Sequence, residues 1–186
     1  WKNKKEEYNL VLSNFFLSLC DNIENIINKI MNSLIPNGFF LATLPSPENL
    51  YSLKSAMIQT DIEMYGGAYN RFNRTVDLKN MIDILKKVNF KIPSVNLENI
   101  KLEYKDFDNL LNDVRSLNSS YHFEDKKNTF EKKNYFKKLE KNYKKNSKNY
   151  FELSLNFYVI SGWKYHPSQQ IPMKPGKAKN KLKDFL

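Results

Sequence analysis

The chain has 186 residues, 41% of them hydrophobic and 14% aromatic. That is enough for one folded domain, and the periodic spacing of its apolar residues excludes a disordered chain. The net charge of +10 admits nucleic acid or anionic lipid as partners, yet lysine is spread along the chain, arginine is scarce and no nucleic-acid motif occurs, so a nucleic-acid partner is not expected. Cys20 stands alone, which excludes a disulfide framework and a cysteine-built metal centre, and no apolar run approaches the roughly twenty residues of a membrane span.

Residues Trp1 to Glu7 are polar and basic, are no signal peptide, and begin without Met, which fits a chain that starts mid-gene. Leu10-Val11-Leu12 reads as a short strand covered on both faces. Asp21 stands in an N-cap position with Glu24 three residues on, and Ile23, Ile26, Ile27, Ile30, Met31 and Leu34 follow as one apolar stripe. Ile35-Pro36-Asn37-Gly38 reads as a turn and Phe39 to Leu44 as a second buried-type strand. Strand, crossover helix and strand over 1–44 make a βαβ unit, whose ligands bind beyond the carboxyl ends of the strands, here Ser13-Asn14-Phe15 and Thr43-Leu44-Pro45.

Residues 45–118 read as helices and strands on the side where a substrate would enter. Ser46 is placed to cap a helix with Pro47 at its first position, running to about Met64 with Leu50, Leu53, Met57 and Ile58 inward. Gly66-Gly67 breaks it, and Tyr65 to Phe72 is an aromatic loop with one arginine, either a ligand loop or a helix end followed by a surface turn. Thr75 is placed to cap a third helix carrying Leu78, Met81, Ile82 and Leu85. Phe90 to Val95 and Ile100 to Tyr104 read as short strands, Pro93 arguing for an edge. Asp106 starts a helix with Phe107, Leu110, Leu111, Val114 and Leu117 on one face. Residues 119–149 form a lysine-rich, solvated helical insert with a thin seam of Phe130, Phe136, Leu139 and Tyr143. In 150–186, Tyr150 to Ser161 alternates cleanly as a half-buried strand, and a basic tail follows.

Much familiar chemistry is absent. Only His122 and His166 occur, with no HExxH, CxxC, Walker loop, GxSxG or GxGxxG. The opening strand reads as central, and unpaired it would expose a row of backbone groups. A preceding βαβ half is therefore expected, carrying any cofactor loop.

YNLVLSN, Tyr8 to Asn14, resembles the fourth strand of class I S-adenosylmethionine-dependent methyltransferases, with Asn9 in place of the common Asp. LIPNGFFLATL resembles that fold's following turn and fifth strand. GGAYNRFNRTVDL, LKKVNF with Pro93, NDVRSLNSS, and Gly162, Trp163, His166, Ser168, Gln169 and Pro172 in SGWKYHPSQQIP are similar to the methyltransferase-like assembly factor of respiratory complex I and its bacterial relatives. The resemblance covers the chain in order. Where the family often has L-H-W, this chain has Leu17-Ser18-Leu19, and its D-L-R-x-M-G becomes Asp113-Val114-Arg115-Ser116-Leu117-Asn118.

This resemblance implies an α/β fold, the carboxyl-terminal half of a Rossmann-like sheet: strands four to seven, the antiparallel last strand inserted between the fifth and sixth. It implies S-adenosyl-L-methionine as cofactor, its main binding loop in the absent half. It implies a protein substrate, with a complex I subunit as the candidate, and some members of this branch are assigned arginine hydroxylation instead of methyl transfer. The cofactor's methionine end would lie at Ser13, Asn14 and Phe15. Tyr65, Gly66, Gly67 and Arg71 are candidates for the substrate mouth. Arg115 is a candidate for a substrate carboxylate or phosphate, or for a structural pair with Asp113 or Glu103. His166 is a candidate general base or a hydrogen-bonding corner, and Trp163 reads as core. The compartment is expected to be a bacterial cytoplasm, at the inner membrane face, or the mitochondrial matrix. Three functions compete: a cofactor-dependent modifier of a protein side chain, an assembly module that has lost turnover, and a basic nucleic-acid binder.

Overall fold

The computed structural model describes residues 5–117 and 130–170. The amino-terminal tip, most of the first half of the lysine-rich insert, and the tail with Pro172 lie outside the described residues. Four strands form one sheet in the order β1-β2-β4-β3. β1 (Tyr8–Asn14) and β2 (Leu34–Pro45) are parallel, joined through a short 3-10 turn (Phe16–Leu19) and helix α1 (Ile23–Ser33). α2 (Tyr51–Tyr65) and α3 (Leu78–Lys87) lead to the border strand β3 (Lys91–Tyr104). After α4 (Phe107–Ser116) and α5 (Tyr135–Asn142), β4 (Phe151–Trp163) returns between β2 and β3, antiparallel to both. This is the expected arrangement, with the antiparallel last strand inserted between β2 and β3.

Each element follows from its sequence, with corrections at the ends. The α1 stripe is borne out: Ile27 and Ile30 are buried, each worth about 1.5–3 kcal/mol against exposure. Its N-cap is Asn22 rather than Asp21, because the Asn22 side chain accepts from the Asn25 amide at 2.9 Å. Ile35-Pro36-Asn37-Gly38 is a bulge within β2 instead of a turn before it, since Tyr8 faces Leu34 while Leu10 already faces Phe39. Asn37 takes φ 63, and a Cβ on Gly38 would sit 2.7 Å from the Ile35 carbonyl oxygen, so glycine is required there.

Ser46 does not cap α2; its hydroxyl donates to Glu48, a turn follows, and the helix starts at Tyr51 after Leu50 at φ 57. Ile58 faces solvent, whereas Ala56, Thr60 and Asp61 turn inward with Leu53. Asp77, not Thr75, caps α3, accepting from the Asn80 amide at 2.8 Å. The two short strands expected over 90–104 are one, β3, paired with β4 along its length, and Pro93 does lie in a border strand. Asp106 caps α4 as expected. In α5 the buried residues are Tyr135 and Leu139; Phe130 is fully exposed and outside the seam.

Two cores result. One packs α1 and α3 on a sheet face built from Phe40, Ala42, Leu44, Tyr158 and Ile160. The other packs α2, α4 and α5 on Phe151 and Leu153, where the β3–β4 ribbon runs past the carboxyl end of β2 at Pro45. β4 therefore contributes Phe151 and Leu153, with Leu155 packed against them, to one core and Tyr158 and Ile160 to the other, so it is the half-buried strand expected, with its buried side changing from odd to even residues along its length. Trp163 is not core: its ring packs at a tilt against Phe39, centroids 4.4 Å apart, and stays partly exposed. β1 forms the other border. Its apolar run, expected to be covered on both faces, leaves Leu10 49% and Leu12 64% exposed, with Phe16 beside them at 58%.

Candidate functional site at the carboxyl ends of the strands

β1 and β2 end side by side, Ser13 opposite Ala42 and Asn14 opposite Thr43. The Thr43 hydroxyl donates to Asn14 Oδ1 at 2.5 Å, and the Phe15 amide donates to the Thr43 carbonyl at 3.0 Å. Phe15 takes φ 55, and the Ser18 hydroxyl donates to its carbonyl at 2.8 Å, so the chain leaves the strand in a fixed bend. The bend points Phe16 outward and seats Leu17 in the core.

Beside it runs a cavity of about 550 Å³ along β1 and α1, walled by Leu12, Ser13, Asn14, Phe16, Cys20 and Ile30 among others. It is largely apolar. The Ser13 hydroxyl is buried with no hydrogen-bond partner among the described residues. Burial, with a smaller contribution from Asp21, pushes the Cys20 thiol up, away from the thiolate form. Of the three residues expected at this end, Ser13 and Asn14 line the cavity; Phe15 turns its ring towards Phe157, 5.7 Å away.

The expected substrate-mouth residues gather in a different place. Arg71 lies between two carboxylates: Nε and Nη2 donate to Asp61 at 2.9 and 2.5 Å, and Nη1 donates to Glu131 at 2.8 Å. Asp61 is wholly buried and Arg71 is 17% exposed. Burial opposes the guanidinium charge, but the Asp61 and Glu131 carboxylates outweigh it and hold protonation above the ordinary arginine range. The Tyr65 hydroxyl donates to Glu131 at 2.6 Å, and the Arg71 guanidinium lies 4.8 Å from the Tyr135 ring centre. Tyr65 and Arg71 thus tie α2, its following loop and the start of α5 together. Gly66 ends α2 at φ 80, and Gly67 beside it is exposed.

Sequence reasoning missed Asp61 as Arg71's partner. The available signal was an acid four residues after Met57 and eight after Leu53, on the inward stripe, where a carboxylate demands a cation.

A smaller cleft of about 210 Å³ opens between α2 and this loop, lined by Lys54, Met57, Tyr69, Arg71 and Phe72 among others. Lys54 lies 5.5 Å from the Phe72 ring centre; burial lowers its pKa, partly offset by Glu48. Arg115 stands elsewhere, on α4, donating to Asn112 at 2.8 Å and lying 5.6 Å from the Phe136 ring centre. Neither carboxylate expected to pair with it does so: Asp113 accepts from Tyr104 and Glu103 from Asn146.

His166 is at the opposite end of the sheet from Ser13. β4 leaves the sheet past Phe39, and the Lys164 amide donates to the Gly38 carbonyl at 2.9 Å. His166 Nδ1 faces the Ser168 hydroxyl at 2.7 Å, Asn37 donates to Ser168, and Gln169 donates to both Asn37 and the Lys164 carbonyl. These residues close the amino end of the sheet over the Asn37 bulge.

No family model matches the chain. It is 25% identical over 186 residues to arginine-hydroxylase NDUFAF5, mitochondrial, of Dictyostelium discoideum, covering 97% of this chain and 42% of that protein. It is 23% identical over 108 residues to malonyl-[acyl-carrier protein] O-methyltransferase of Methylovorus, covering 58% of this chain and 34% of that protein. The chain spans about half the length of the NDUFAF5 relatives it matches. Among solved structures, the YcgJ protein of Bacillus subtilis superposes with a TM-score of 0.52 at 10% identity, over 87% of this chain and 66% of that one. In fold the chain is similar to the YcgJ protein, and in sequence it is similar to the NDUFAF5 relatives over nearly its whole length.

Proposed function

We propose that the protein is a methyltransferase-like modifier of a protein side chain, linked to respiratory complex I assembly and using S-adenosyl-L-methionine. The observation that carries this reading is the uncovered border of β1. Leu10, Leu12 and Phe16 are exposed, and Ser13 keeps a buried, unpartnered hydroxyl at the strand's carboxyl end. Such a border fits one wall of a cofactor pocket, the other wall lying in the part of the relatives that the alignment does not reach.

Ser13 and Asn14 would hold the cofactor's methionine end, with Thr43 fixing the Asn14 amide. When bound, that cofactor supplies an electrophilic methyl group. The chain's own contribution is positional: methyl transfer chiefly needs the nucleophile held in line, so the absence of an acid–base cluster beside Ser13 is compatible with it. The cleft beside Lys54 and Phe72 would admit the acceptor. The mitochondrial relatives favour the matrix as the compartment, and no helix among the described residues is long and apolar enough to cross a membrane.

A second reading, arginine hydroxylation, rests on the name of the Dictyostelium relative. Mass spectrometry of complex I subunits from cells with and without the gene separates the two. Loss of a methyl mark in the deletion supports methyl transfer; loss of an added oxygen on arginine supports hydroxylation. Failed assembly with no lost mark identifies a non-catalytic assembly module and overturns both.

A further inference from the structure

We propose that the groove beside α5 is a docking site for an extended acidic segment of a partner protein. Between Phe130 and Lys148 the sequence places eight lysines against Glu131 and Glu140 alone. Glu131 is already held by Arg71 and Tyr65. Lys138 pairs with Glu63 at 2.6 Å, and Lys132 donates to the Met64 carbonyl at 2.8 Å. The remaining six lysines have no carboxylate partner among the described residues.

Three of them, Lys137, Lys141 and Lys145, wall a groove of about 490 Å³ whose floor is Tyr143 and Phe151. Lys145 lies 4.6 Å from the Phe151 ring centre, which fixes one ammonium over the floor. Lys137 and Lys141 are four residues apart on one helix, a like-charge pair that disfavours the helix by tenths of a kcal/mol unless something neutralises it. Clustered positive charge with no carboxylate partner among the described residues, set over the buried rings of Tyr143 and Phe151, is complementary to a run of carboxylates.

A peptide is favoured over a bilayer because Tyr143 and Phe151 are buried between these lysines and present no apolar face to enter the lipid. A polynucleotide is disfavoured by Glu140 in the wall and by the absence of arginine, the residue that reads phosphate bidentately. The groove lies at the outer end of the β3–β4 ribbon, where Phe151 pairs with Tyr104. It therefore stands apart from Ser13, and docking there does not depend on methyl transfer.

The test is fluorescence anisotropy with labelled poly-L-glutamate as probe, at low and at physiological salt. The protein is compared with a Lys137→Glu/Lys141→Glu/Lys145→Glu variant and a control of equal charge, Lys5→Glu/Lys79→Glu/Lys86→Glu. The groove variant is expected to lose affinity on the order of tenfold and the control about twofold. A Lys→Gln version of the groove variant, checked by its melting temperature, guards against a folding defect and is expected to show an intermediate loss. Equal losses in groove variant and control overturn the proposal. So does tighter binding to vesicles of anionic lipid, or to duplex RNA, that the groove substitutions weaken more than they weaken poly-L-glutamate binding.

Discussion

Replacing Arg71 by methionine tests whether this arginine is structural. Both Asp61 oxygens accept from Arg71, and Asp61 is wholly buried at the contact between α2 and the loop that follows it. Beyond the guanidinium, the Tyr69 amide donates to it at 3.3 Å. Taking the cation away leaves a desolvated carboxylate, which costs about 3–5 kcal/mol when one partner of a buried pair is removed. Glu131 adds less, because it is partly exposed and can hydrate. For a chain of this size the loss corresponds to a melting temperature about 6–20 °C lower. Urea titration followed by circular dichroism would measure it. Adding Asp61→Asn to the variant should restore part of the loss, since a neutral amide is cheaper to bury than an unpaired carboxylate. If Arg71→Met melts within a degree or two of the parent, the pair is not holding the loop, and Arg71 is free for a substrate.

Gly38→Ala should destabilise by about 1–3 kcal/mol, because the added methyl meets the Ile35 carbonyl at 2.7 Å and the Leu34 Cβ at 3.0 Å; a melting temperature equal to the parent's would contradict the bulge. The Tyr143 phenol, pushed up to about 12 by burial and by nearby Glu152, donates to the Glu152 carbonyl. Its folded pKa lies above the unfolded one, so its stabilisation is complete below pH 10 and is lost as pH rises from 10 to about 12. Stability measured across that range in Tyr143→Phe should fall less steeply. His166→Ala should leave any turnover of the whole protein unchanged, because His166 sits at the amino end of the sheet; a loss of turnover on the order of a hundredfold would return it to the candidate bases.

Where the apolar period was strong, the sequence was legible: β1, β2, α1, α4 and β4 lie where periodicity placed them. Cap positions were less so. Asn22 won over Asp21 and Asp77 over Thr75 because the cap is the side chain that reaches the amide three residues on, and adjacent polar residues look alike in sequence. The polar centre of β3, Asn96 to Asn99, hid one long strand as two, since a border strand paired on one side can carry solvent-facing residues throughout. At the site, Ser13 and Asn14 were readable from their place at a strand end. Arg71 was not, because its partners come from ten residues earlier on α2 and sixty residues later. A charge inside a loop looks the same whether it awaits a ligand or is already paired.

The central claim is that Ser13 and Asn14 are half of a cofactor pocket. Isothermal titration of S-adenosylmethionine into the 186-residue chain, and into the same chain carrying the residues its relatives have before this region, tests it directly. The account predicts no saturable binding below millimolar for the former, micromolar binding for the latter, and weakening of that binding by Ser13→Val. Micromolar binding by the 186-residue chain alone, unaffected by Ser13→Val, would contradict it.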